Sequence, residues 1–181
     1  MEVLLYLPEF KFKVKFRIQK IDRLCGKRAT VYSVIIEDDE LTLFERFILE
    51  NKAEYSKEVL DLTGQILTMA NKVGVQDHFF TRPEGKLGQD VWDLRDYPKK
   101  RLRLYCMKLS GVAIILGGGG PKPKGVAAFQ EIPKLKDENY LIRMVSDALT
   151  QLILDKEIRW KGNEIVGNLI FGDDAFDEED E

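Results

Sequence analysis

The sequence predicts an α+β domain in which an antiparallel sheet of about five to six strands packs against two to three helices. Three observations lead there. Phe10, Phe12, Val14, Phe16 and Ile18 alternate with Lys11, Lys13, Lys15, Arg17 and Gln19, the period of a strand with one apolar face. Tyr55, Val59, Leu62, Ile66, Met69 and Val73 recur at intervals of three and four, which is helical. Residues 101–120 return to the strand period, turn at Ser110-Gly111 and end in four glycines.

In chain order, residues 1–7 predict a short strand stopped by Pro8. The alternating strand follows, then a turn at Cys25-Gly26-Lys27-Arg28 and a strand over 30–37 that pairs with it antiparallel. Asp38-Asp39 closes this pair, and a short helix over 41–49 buries Leu41, Phe44 and Ile48. Asn51 and Glu54 stand three apart, the spacing of a capping arrangement for the next helix. Gly64 weakens that helix by about 1 kcal/mol relative to Ala, and Gly74 ends it.

Residues 78–88 predict a loop, 91–95 a short strand, and Tyr97-Pro98 a break. Leu102, Leu104 and Cys106 then alternate with Arg101, Arg103 and Tyr105, so the basic and aromatic side chains are expected on one open face. Residues 112–116 are apolar on both faces, as in a central strand. Beyond the glycines, 126–133 suit a strand or a brief helical turn. Asp137 or Asn139 is expected to cap a final helix carrying Leu141, Val145, Ala148 and Leu152. Residues 158–160 and 165–171 predict a terminal hairpin. The expected organisation is a single domain over residues 1–172 and a disordered acidic tail over 173–181.

The 181-residue chain has a formal net charge of −3, but the charge is segregated. Residues 11–28 hold eight cations and one acid, residues 95–108 six cations and one acid, and the last nine residues seven acids. Two basic segments meeting on one face would suit a polyanion; exposed strand positions are also commonly basic for solubility. Cys25 and Cys106 are far apart and His78 is the single histidine, which argues against a Cys/His zinc site and leaves no cofactor implied. No apolar run reaches about 18 residues and no signal-peptide profile opens the sequence, so a cytoplasmic protein with free cysteines and no membrane partner is expected.

GGGGPKPKG is the most unusual string. It is neither a Walker A motif nor a GxGxxG entering a helix. The alternatives are a phosphate cradle backed by Lys122 and Lys124, a tight crossing where any side chain would clash, or a loop beside a partner. Lys99, Lys100, Arg101 and Arg103 suit phosphates, while Tyr97 and Tyr105 offer rings for base stacking. RNA cleavage would also need a proton-transfer group, for which the candidates are His78 and, if crowding by neighbouring cations depresses its pKa, Lys99 or Lys100. Glu84, Asp90 and Asp93 are too scattered to make a carboxylate pair.

With VWDLR, RLRLYCMKL and VAIILGGG in order after two helices, this part of the chain resembles the sheet core of the RelE/HigB family of type II toxin–antitoxin toxins and their phage-derived relatives. Arg101 and Arg103 are likened to the basic positions of the family's R-x-x-Y strand and Tyr105 to its aromatic, although they stand four and two residues before Tyr105 rather than three. The resemblance implies an RNA-binding and RNA-cleaving toxin, or an inactive descendant, with an antitoxin-like protein partner. Catalysis would fall to His78, Arg101 and Arg103, and RNA binding to Lys99, Lys100, Tyr105, Lys122 and Lys124. The chain departs from the family in length, in its acidic total, and in lacking an arginine after the apolar strand. The alternatives are a non-enzymatic protein-binding or structural module on the same scaffold, and a phosphate-binding enzyme using the glycines.

Overall fold

A computed structural model gives the fold and describes residues 15–81, 91–126 and 128–172. The strands are β1 (Phe16–Lys20), β2 (Thr30–Ile36), β3 (Phe80–Thr81), β4 (Val91–Arg95), β5 (Leu102–Leu109), β6 (Ala113–Pro121), β7 (Ile158–Lys161), β8 (Glu164–Gly167) and β9 (Ile170–Phe171). The helices are α1 (Leu43–Asn51), α2 (Ser56–Thr68) and α3 (Pro133–Leu154). Seven strands form one sheet in the order β3-β4-β5-β6-β2-β1-β9, and β7 and β8 form a separate hairpin. The α+β class is as the sequence predicts. The sheet is antiparallel except where β2 meets β6 in parallel, Thr30 opposite Ala113 and Ser33 opposite Leu116.

β5 and β6 form the hairpin expected around Ser110-Gly111, and β6 is central because β5 and β2 flank it. Alternate residues of β6 enter opposite halves of the core. Ala113 and Ile115 join Tyr105, Met107, Ile142, Val145 and Leu149 on the α3 side. Ile114 and Leu116 join Leu62, Ile66, Leu94, Leu102, Leu104 and Cys106 on the α2 side. Burying a side chain of this kind stabilises the fold by roughly 1.5–3 kcal/mol, so both helices are firmly docked.

Several local expectations change. β5 is covered on both faces, not one, because α3 lies over the side that carries Arg103 and Tyr105. The cap falls on α1, where Thr42 and Glu45 exchange hydrogen bonds. Asn51 is instead the buried last residue of α1, and its side chain donates to the Phe47 carbonyl. α2 runs into a wider π turn over Met69–Val73, and Gly74 ends it at φ 82°. α3 starts at Pro133, before Asp137 and Asn139, because the fixed φ of proline suits a first helical position. The terminal hairpin is shorter than expected, since Ile170–Phe171 leaves it to pair with β1, stacking Phe171 on Phe16 at 4.5 Å. The strand over residues 1–7, the first part of the alternating strand, the core of the 78–88 loop and the acidic tail lie outside the described residues.

Candidate nucleic-acid interface

The glycine run is strand rather than loop. Gly117 to Gly120 are buried within β6. Leu104 faces Gly119 and Cys106 faces Leu116, so Gly117 and Gly118 together oppose Tyr105 in a β-bulge. A Cβ on Gly119 would lie 1.8 Å from the Arg103 carbonyl oxygen, and one on Gly118 would lie 2.1 Å from Glu138 Oε2 of α3. The tight-crossing alternative therefore describes Gly118 and Gly119, and the phosphate cradle does not, since the space over Gly118 is filled by a carboxylate from the same chain.

Glu138, 2% exposed, is held by cations from two helices. Arg46 Nη2 of α1 lies 2.7 Å from Oε1, and Lys134 Nζ, one turn earlier on α3, lies 2.6 Å from the same oxygen. Lys134 also meets Glu50 at 3.0 Å. Burial opposes the charge on Lys134, but its bonds to Glu138 and Glu50 outweigh that and hold the ammonium above its ordinary pKa. α1 reaches this position beside β6, where the Ser33 hydroxyl donates to the Leu116 carbonyl and accepts from the Phe44 N–H.

A second ionic group lies under α3 on β4 and β5. Asp93 Oδ2 receives Arg95 Nε at 2.9 Å and Arg103 Nε at 3.3 Å. Burial pushes the Asp93 carboxyl up from its ordinary value, while Arg95, Arg103 and Lys122 pull it partly back. Burial likewise lowers the Arg103 guanidinium and raises the Tyr105 phenol.

These contacts separate the residues expected to act together. Arg103 and Tyr105 are 7% and 1% exposed beneath α3, so neither forms an open clamp or stacking surface; the alternation that suggested one is a strand buried on both sides. Arg101 turns to the α2 side, its Nη1 3.3 Å from Glu58 Oε1. His78 stacks on Phe79 beside Asp77, which pairs with Lys108 near the other end of β5. Seven residues separate Lys108 from Arg101, about 23 Å along a strand. His78 is therefore not placed to exchange protons at a phosphate held near Arg101. Among the described residues, β6 and β2 stand between the strand that carries Arg17 and Lys20 and the strand that carries Arg103 and Lys108.

The sheet does gather four of the predicted RNA-binding lysines at one end. The β4–β5 turn carries Lys99 and Lys100, and the β6 exit carries Lys122 and Lys124. Leu102 opposes Pro121, and Lys122 N–H donates to the Arg101 carbonyl at 2.8 Å. This pairing makes the two segments neighbours. Lys99, Lys100 and Lys124 are exposed, and Lys122 is half-buried on the rim. Tyr97 stands on the same turn, 70% exposed. Sequence reasoning offers both Tyr97 and Tyr105 and gives the stacking role to Tyr105, which shares the strand period of the arginines; the period does not reveal that a helix covers that face. Glu138 and Arg46 carried no sequence signal at all, since they meet only through the tertiary fold.

No family model, curated protein or solved structure matches the chain. Among the described residues no helix is long and apolar enough to cross a membrane, and no three His, Cys, Asp or Glu side chains cluster as a metal site would require.

Proposed function

We propose that this chain is an RNA-binding protein related to the RelE/HigB toxins, and that its rim of lysines at one end of the sheet holds the RNA backbone. The β5–β6 register carries this proposal, because Leu102 opposite Pro121 and the Lys122 N–H on the Arg101 carbonyl set the segment with Lys99 and Lys100 beside the one with Lys122 and Lys124. Flexible ammonium groups on a rigid strand end suit a chain of phosphates without reading its sequence. Lys99, Lys100 and Lys124 are the exposed cations of this rim, while Lys122 is half-buried and its charge acts on Asp93. Binding, not cleavage, is proposed. His78 lies at the far end of β5, and Arg103 and Tyr105 lie under α3.

The test is equilibrium binding of a single-stranded RNA across a salt series. Four neutralised phosphates on a single strand give a log–log slope of about −3. The combined Lys99→Ala, Lys100→Ala and Lys124→Ala variant is expected to weaken binding and flatten that slope to about −1. Salt-independent binding, or binding that the triple variant leaves intact, overturns the proposal and favours a protein partner instead.

A further inference from the structure

We infer that the rim takes unpaired nucleotides and that Tyr97 is the surface on which a base stacks; this rests on the RNA-binding proposal above. The turn that carries Tyr97 is fixed by side chains on both sides. Tyr97 N–H donates to Asp61 Oδ2 of α2 at 2.8 Å, and Gln65 Nε2 bridges the same oxygen and the Arg95 carbonyl at 2.8 and 2.9 Å. Asp96, 1% exposed, accepts the Leu102 N–H on Oδ1 at 2.7 Å, and its carbonyl accepts the Lys100 N–H at 3.2 Å. The backbone is thus locked while the ring it carries stays 70% exposed.

That combination has a chemical consequence. An aromatic ring on a fixed backbone has only its two side-chain torsions to lose when a second flat ring settles on it. The Lys100 ammonium lies 5.5 Å from the Tyr97 ring centroid, within cation–π range. Lys99 adjoins it in sequence, and Lys122 reaches the rim from the neighbouring strand. A base stacked on the ring therefore has cations beside it for the phosphates of its own strand. Only an unpaired base exposes a face for such stacking; a duplex keeps its base faces buried against one another. The rim alone attracts either form, and the ring selects the single strand.

The experiment compares one RNA oligonucleotide as a single strand and as a duplex with its complement, at fixed salt. Proteins are wild type, Tyr97→Ala and Tyr97→Phe, with circular dichroism to verify folding. Wild type is expected to prefer the single strand. Tyr97→Ala is expected to lose about tenfold in affinity for the single strand and almost nothing for the duplex, whereas Tyr97→Phe keeps the preference because the ring, not the hydroxyl, does the stacking. Equal single-strand affinity for wild type and Tyr97→Ala, or equal wild-type affinity for the two RNA forms, overturns the stacking role. If the lysine triple variant still weakens binding in that case, the RNA-binding proposal stands without it. If neither RNA form binds the wild type, both proposals fail together.

Discussion

The two faces of the sheet are closed by different chemistry. On the α2 side the centre of the contact is apolar, where Leu62 and Ile66 meet Leu94, Leu102, Leu104 and Cys106, and the Arg101–Glu58 pair and the Asp61 and Gln65 bonds lie at its edge. On the α3 side only part of the contact is apolar, through Ile142, Val145 and Leu149. The rest is ionic, with Glu138 set over Gly118 and Asp93 between two arginines. Shape complementarity suffices on the first face. The second needs a strand stripped of side chains so that a carboxylate and its cations fit between helix and sheet. The glycine run is therefore a packing device.

The largest effect that sharpens this contrast is expected within the glycines themselves. A methyl group at Gly119 meets the Arg103 carbonyl, a backbone atom fixed by the β5–β6 pairing. Gly119→Ala is expected to destabilise by about 3 kcal/mol. At Gly120 the nearest atom to an added Cβ is 3.5 Å away on the Lys134 side chain, an ordinary contact, so Gly120→Ala should stay within about 0.5 kcal/mol of wild type. Urea unfolding of both variants reads the difference. Equal stability would mean that the strand yields at Gly119 and that the glycines are not needed for close approach.

A smaller effect is expected at Gly118, where the obstacle is a side chain. Gly118→Ala should cost about 1–2 kcal/mol by pushing the Glu138 carboxylate from its seat. Glu138→Ala should cost about 2 kcal/mol, below the usual range for a broken buried pair, because Arg46 and Lys134 are each about a third or more exposed and can turn to water. Combined, the two changes should destabilise by less than their sum, with a coupling of about 1 kcal/mol, since the new methyl then occupies the space the carboxylate left. Strict additivity in the double-mutant cycle would show that Glu138 does not depend on the bare backbone at Gly118.

Where the pattern of a single segment determines the outcome, the sequence was legible. The alternation around Phe16 and Ile18, the helical stripe from Val59 to Ile66, the turn at Ser110-Gly111 and the central position of residues 112–116 all follow from local periodicity, and the α+β class with them. The candidate site was legible only in part. The hairpin sets the segment that follows Pro121 beside the one that precedes Leu102, because a hairpin brings its outer ends together. Arg103 and Tyr105 were misplaced because strand alternation gives the side a residue points to and not what covers that side. α3 comes from a distant part of the chain, and its polar contacts, Glu138 above all, leave no periodic trace. Gly64 illustrates the converse. It sits within α2, yet nothing lies within 4 Å of where its Cβ would be, so no close approach accounts for it.

The smallest effect concerns pH, and it tests which force dominates in the second ionic group. Burial raises the Asp93 carboxyl above its ordinary value despite the neighbouring Arg95 and Arg103. A carboxyl raised in the folded state takes up its proton at higher pH there than in the unfolded chain. Acidification from the raised value toward the ordinary value of about 3.9 therefore favours the folded state, and this contribution is lost again as pH rises through the folded value. Asp93→Asn removes the titration. The stability of wild type relative to Asp93→Asn should accordingly increase as pH is lowered from 7 toward 4, by about 1.4 kcal/mol for each tenfold rise in proton affinity. Denaturant unfolding of both proteins at several pH values measures this slope. A decrease on acidification would mean that the two guanidinium groups outweigh burial and hold the carboxyl low. The ionic half of the α3 contact would then be a net attraction rather than a cost borne by the apolar contacts around it.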